Sequence, residues 1–210
     1  MEPLIDWNLP FKPAHLSTDY LFLKDNLDKM GITNHIAGGY ARDIFFSKTP
    51  RDLDIALTDF QSEGEIEAAL DMIVRFLNAR DSLDRVYSES SHPNYSFKGI
   101  YAVIKTKFVT DMDLIFWKPG WSLQRVLLAG FDYNMNQFYF PDGAEQPVFA
   151  GDTEAAGVLM PLPGAEITYG RKERMEERAK LIGWEVPGYR TVELIQKISR
   201  RASYAFTTKY

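Results

Sequence analysis

The chain has 210 residues, 45% of them hydrophobic and 25% charged, with a net charge of −5 and no cysteine. That composition describes an ordinary globular domain long enough to bury a core, and the missing cysteines exclude disulfides, zinc ribbons and thiol chemistry. The acidic balance speaks against a simple nucleic-acid coating protein, no apolar run approaches the ~20 residues of a membrane span, and the acid- and proline-bearing first residues do not read as a signal peptide, so a cytoplasmic location is expected.

In chain order, Tyr20, Leu21, Leu23, Leu27 and Met30 recur at helical spacing, with Ser17 or Thr18 to cap the start and Gly31 to end it. "TNHIA" (33–37) predicts a short strand broken by Gly38-Gly39, and "YARDIFFS" (40–47) a helix opened by that turn. "RDLDIALT" (51–58) alternates as a strand does, and 64–79 forms an amphipathic helix. "SFKGIYAVIKT" and "KFVTDMDLIFW" are rich in β-branched and aromatic residues and read as an antiparallel pair linked near Lys107. A helix over "WSLQRVLLAG" (121–130), a hairpin turning near Pro141-Asp142-Gly143, a Gly/Pro/Ala-rich linker (151–166) and two helices near 169–182 and 191–206 complete the pattern. The expected fold is α+β, a mixed sheet flanked by helices, with residues 1–165 as the body and 166–210 as a short helical region. Charge follows the same division: residues 1–170 hold 14 Lys+Arg against 24 Asp+Glu, and residues 171–210 hold 10 against 5.

Acids within apolar strands are the residues that ask for chemistry. Asp52 and Asp54 share one face of a strand, with Cα atoms about 6.5–7 Å apart. Two carboxylates so placed repel unless a cation lies between them. Asp113, on a similar strand, is a third, with Asp111 on the same face as its alternative. Converging carboxylates without His or Cys suit a hard cation, Mg2+ or Mn2+, and two such ions activate an attacking hydroxyl and stabilise a leaving pyrophosphate. Gly38 and Gly39, between strand and helix, allow close backbone approach, and the helix they open suits phosphate. His15, His35 and His92 are scattered without metal-ligand spacing.

"GGYARDIFFSKTPRDLDIAL" resembles the GGxxRDxxxG…DxD signature of the class II CCA-adding enzymes and bacterial poly(A) polymerases, in the DNA polymerase β-like nucleotidyltransferase superfamily, with Ser47 in place of the last glycine. "DYNMN" (132–136) resembles the family's DFTIN, and "RKERMEERAKLIGW" (171–184) its RxxRxxxxxxxxGF. The resemblance implies the fold of the catalytic head and first neck helix. It implies transfer of a nucleoside monophosphate from an NTP to a hydroxyl, with the 3′ end of an RNA such as tRNA as the expected acceptor. A toxin- or regulator-type enzyme modifying tRNA or a protein is the alternative. Asp52, Asp54 and Asp113 match the catalytic metal ligands. Gly38, Gly39 and Arg42 match positions that hold the triphosphate, Asp132 and Asn136 those that shape the nucleotide pocket, and Arg171 and Arg174 those that reach the nucleotide. Three departures stand out. Gly130-Phe131 occupy positions where the family carries arginines, with Arg125 the candidate substitute; no EDxxR element follows Trp184; and the family's body and tail, which grip a tRNA elbow, have no counterpart.

Overall fold

The computed structural model describes residues 16–88, 99–108 and 111–187. Helix α1 (Thr18–Lys29) starts where the Ser17 side chain accepts from the Tyr20 N–H, and buries Tyr20, Leu23 and Leu27. Strand β1 (Asn34–Ile36) leads into α2 (Gly39–Phe45), then β2 (Leu53–Leu57) and α3 (Glu63–Asn78). Ser62 caps α3 by accepting from the Glu65 N–H, and the helix buries Ile66, Ala69, Ile73 and Leu77 at the expected period. Strands β3 (Leu83–Ser88), β4 (Ile100–Thr106) and β5 (Met112–Trp117) follow.

These five strands form one sheet in the order β1-β2-β5-β4-β3. Only β2 and β5 run parallel, and the other pairs are antiparallel. The predicted β4–β5 pairing is present. The mixed sheet with helices against it is the expected α+β architecture.

Alternation sorts the sheet residues into two faces. Leu53, Ile55, Leu57, Ile104, Leu114 and Phe116 point into the main core beneath α1, α2 and α3. On the other face Ala56, Val103, Trp117 and Val126 make a small second core. Asp54 and Asp113 belong to that second face, beyond the edge of its apolar patch.

Two of the later elements differ from the sequence pattern and one matches it. The helix expected over 121–130 is one turn, α4 (Leu123–Arg125), running into a π-helical stretch over Val126–Gly130. The hairpin is present as β6 (Phe138–Tyr139) and β7 (Val148–Phe149). The expected linker 151–166 is instead packed. Ala156 and Leu159 lie in the main core, and the Asn134 amide donates to the carbonyls of Ala155 and Val158 while its oxygen accepts from the Met160 N–H. A buried asparagine can satisfy a strand-like backbone that has no ladder partner.

Helix α5 (Tyr169–Leu181) closes the described structure against this body. Its Met175 and Ala179, with Ile182 and Trp184 just beyond, join the main core. The helix expected near 191–206 lies outside the described residues.

Candidate active site

A glycine turn, the acidic end of β2 and one face of α5 enclose a cavity of about 530 Å³. Gly39, Arg42, Asp52, Asp54, Asn136, Arg171 and Arg174 line it, so residues picked from three separate motifs converge on one space. Gly38, Asp113 and Asp132 are not part of this lining but adjoin it: Gly38 precedes Gly39, Asp113 is in register with Asp54, and Asp132 is hydrogen-bonded to Arg171.

Gly38 has φ +93° and ψ −139°, a conformation that L side chains rarely adopt. A Cβ there would meet the Phe131 ring at 3.2 Å and an Asp54 oxygen at 3.7 Å, so the turn needs glycine for space as well as for dihedral angle. The Gly38 N–H is spent on the Phe138 carbonyl at 2.8 Å. With only seven residues in α2, the turn acts mainly as a scaffold. Positive charge at the cavity comes from arginines.

Arg42 and Arg171 are held by a polar network that the sequence motifs mark only in part. Arg42 is buried, and each of its three side-chain nitrogens has a partner. Nε donates to Asp43 at 2.8 Å, Nη2 lies in ion-pair contact with the same carboxylate at 2.7 Å, and Nη1 donates to the Asn136 side-chain oxygen at 2.6 Å. Asn136 donates to Asp132 at 3.1 Å. Asp132 accepts two hydrogen bonds from Arg171, at 2.5 and 3.1 Å. Asp43 also accepts from Arg178. The network thus joins α2, the 132–136 segment and α5. Burial pushes the Arg42 pKa down, the Asp43 carboxylate opposes that, and the nearby Arg178 and Arg171 add to the lowering.

Asp43 and Arg178 were missed as site residues. Both carried a signal. Arg178 falls seven residues after Arg171 and three after Met175, on the α5 stripe that faces the body. Asp43 follows Arg42 in the glycine-turn motif. Arg174 lines the cavity from an exposed position on α5.

The acids are arranged less symmetrically than three equal ligands. Asp52 and Asp54 face the cavity, and exposed Arg51 pairs with Asp52 at 2.8 Å. Asp113 is in register with Asp54 on the neighbouring strand, but the Lys105 ammonium bridges its two oxygens at 2.8 and 2.5 Å. Among the described residues no group of three carboxylate or imidazole side chains is arranged to hold a metal ion. The pair Asp52 and Asp54 nevertheless suits a hard cation. Burial, then the charges of Asp52 and Asp113, push the Asp54 carboxyl up to about 7, a penalty that a bound divalent cation removes. Asp111, the alternative third acid, is exposed and does not line the cavity.

The departures at residues 125–131 have structural accounts. A Cβ on Gly130 would fall 2.4 Å from the Trp117 ring, so no side chain fits there. Phe131 packs on Gly38 at the cavity wall. Arg125 does not substitute for the missing arginines. It stacks on Trp121, 4.5 Å from the ring centroid, and donates to the Gly120 carbonyl.

Solved structures share this fold. A tRNA-processing enzyme in an apo form aligns over 91% of this chain and 49% of its own, with a TM-score of 0.55 at 16% identity. The Thermotoga maritima CCA-adding enzyme complexed with tRNA aligns over 88% and 43%, with a TM-score of 0.51 at 16% identity. A tRNA nucleotidyltransferase complexed with a primer tRNA and an incoming ATP analogue aligns over 85% and 50%, with a TM-score of 0.50 at 18% identity. The chain has the fold of the CCA-adding enzymes. It spans about half the length of these structures. No family model and no curated protein matches the sequence. Among the described residues no helix is long and apolar enough to cross a membrane.

Proposed function

We propose that the chain is a nucleotidyltransferase that moves a nucleoside monophosphate from an NTP to a hydroxyl at the 3′ end of an RNA, with tRNA the favoured acceptor. The observation that carries this reading is the cavity itself. Asp54 on β2 and Asp52 just before it face Arg171 and Arg174 on α5 across a space large enough for a nucleotide, on a fold whose solved examples include enzymes complexed with tRNA and an ATP analogue.

The residues divide the work as follows. Asp52 and Asp54 would hold Mg2+ or Mn2+, with Asp113 beside them, and the ion would supply Lewis-acid stabilisation of the phosphate charge. Arg174 and the accessible edge of Arg171 take phosphate oxygens, for which a guanidinium fork is well shaped. Gly38 and Gly39 keep the wall beneath the phosphates free of side chains. Arg42, Asp132 and Asn136 position Arg171 and the pocket floor. In the reaction the acceptor hydroxyl oxygen bonds to the α-phosphorus and the α–β bridging oxygen leaves with pyrophosphate. The hydroxyl proton passes to water. Catalysis here is mostly positioning and electrostatics. On this reading residues 1–165 supply the acids, and the region from 166 onward supplies the cationic wall.

The test incubates the full chain with each labelled NTP, Mg2+ or Mn2+, and total cellular RNA. Wild-type protein labels RNA, and Asp54→Asn, still folded by circular dichroism, loses at least ~100-fold of that rate, as expected when a charge that stabilises the transition state is removed. Label on protein instead of RNA moves the assignment to the protein-modifying alternative, and equal transfer by the variant overturns the site.

A further inference from the structure

Lys105 plays no part in the reaction outlined above, yet it occupies a defined place in the sheet. It faces Asp113 in the antiparallel β4–β5 register, and Asp113 lies beside Asp54 in the parallel β2–β5 register. Residues in register on neighbouring strands project from the same face. Arg85, Lys105, Asp113 and Asp54 therefore form one row across four strands, two cations followed by two anions. The Lys105 side chain is 40% exposed and that of Asp113 20%, so the pair sits at the margin of the site, partly shielded from water. Asp52 and Asp54 line the cavity while Asp113 does not.

An ammonium that touches both oxygens of a carboxylate leaves little room for a second cation at the same oxygens. A divalent ion would have to displace it or lie against its charge. Lysine is well suited to the place: a compact charge with three donors on a flexible stem, held by the strand at a fixed register.

We propose that Lys105 is a built-in counter-ion that takes the place of one divalent cation at Asp113, so that the site binds a single divalent ion, on Asp52 and Asp54, where three free carboxylates would bind two. The inference rests on the metal-binding reading of the preceding section. Lys105 acts through Asp113 and is a positioning residue.

The test counts ions directly. Mn2+ is titrated into the full-length protein without nucleotide, and the bound ion is followed by loss of the free-ion electron paramagnetic resonance signal. Wild type and Lys105→Arg are expected to bind one ion per chain, and Lys105→Met or Lys105→Gln two, with the spin–spin broadening of a close pair. Adding Asp113→Asn to Lys105→Met returns the count to one. Two ions on wild type, or one on both neutral variants, overturns the inference while leaving the metal reading intact. No Mn2+ bound by any form overturns both.

Discussion

The titration of Asp54 ties the site to the stability of the chain. Its folded carboxyl titrates near 7, against about 3.9 for an unfolded aspartate. Between those values the folded state keeps a proton that the unfolded state has lost, so stability falls as pH rises through the window. Urea unfolding without divalent cations is expected to show a lower midpoint at pH 8 than at pH 5, and Asp54→Asn, which has no charge to pay for, is expected to flatten that slope. A slope unchanged in the variant assigns the pH dependence elsewhere. Ser47 offers a separate case. It stands where the resembling signature has glycine and has φ +53°, in the left-handed region that is costly for residues with a Cβ. Ser47→Gly relieves a left-handed cost of roughly 1–2 kcal/mol against a chain-entropy loss of roughly 0.5–1 kcal/mol, so a net gain of about 0.5–1 kcal/mol is expected, read as a higher urea midpoint at constant m-value.

Two helices far apart in sequence are joined by one buried acid. Asp43 of α2 lies between Arg42 and Arg178, with only 5% of its side chain exposed. Removing it leaves two guanidinium groups without their counter-charge, which is far worse than never having placed the pair there. Asp43→Ala is expected to cost about 3–5 kcal/mol. Arg178→Met alone should cost less, because Asp43 keeps Arg42. In the double variant the penalty should be smaller than the sum of the single ones. A double-mutant cycle by denaturant unfolding measures this coupling, and strict additivity would show that the α2–α5 ion pair contributes nothing.

Across the whole molecule, legibility followed how local the cause was. The glycine turn, the acid strand and the capped helices α1 and α3 depend on neighbours in sequence, and they lie where the pattern placed them. Strand β3 went unread because "LDRVYS" is an edge strand with little burial and hence no clean alternation. The 151–166 segment looked like a linker from its glycines and prolines, yet Asn134, far from it in sequence, folds it into the core. The site shows the same split. Asp52, Asp54, Arg42 and Arg171 were legible from spacing and resemblance. Lys105 on Asp113 was not, because the pairing depends on a strand register that no single segment states.

The span between Asp43 and Arg178, 135 residues, also sets an order in time. A ribosome adds about 5–20 residues each second, so the acids and the glycine turn exist for on the order of ten seconds before α5 has been made. During that interval the nascent chain carries the carboxylate pair without the arginines of α5, and the buried face that α5 will cover is open. The cavity is therefore complete only once that one helix has arrived. That interval is also when the uncovered surface is most exposed to wrong contacts.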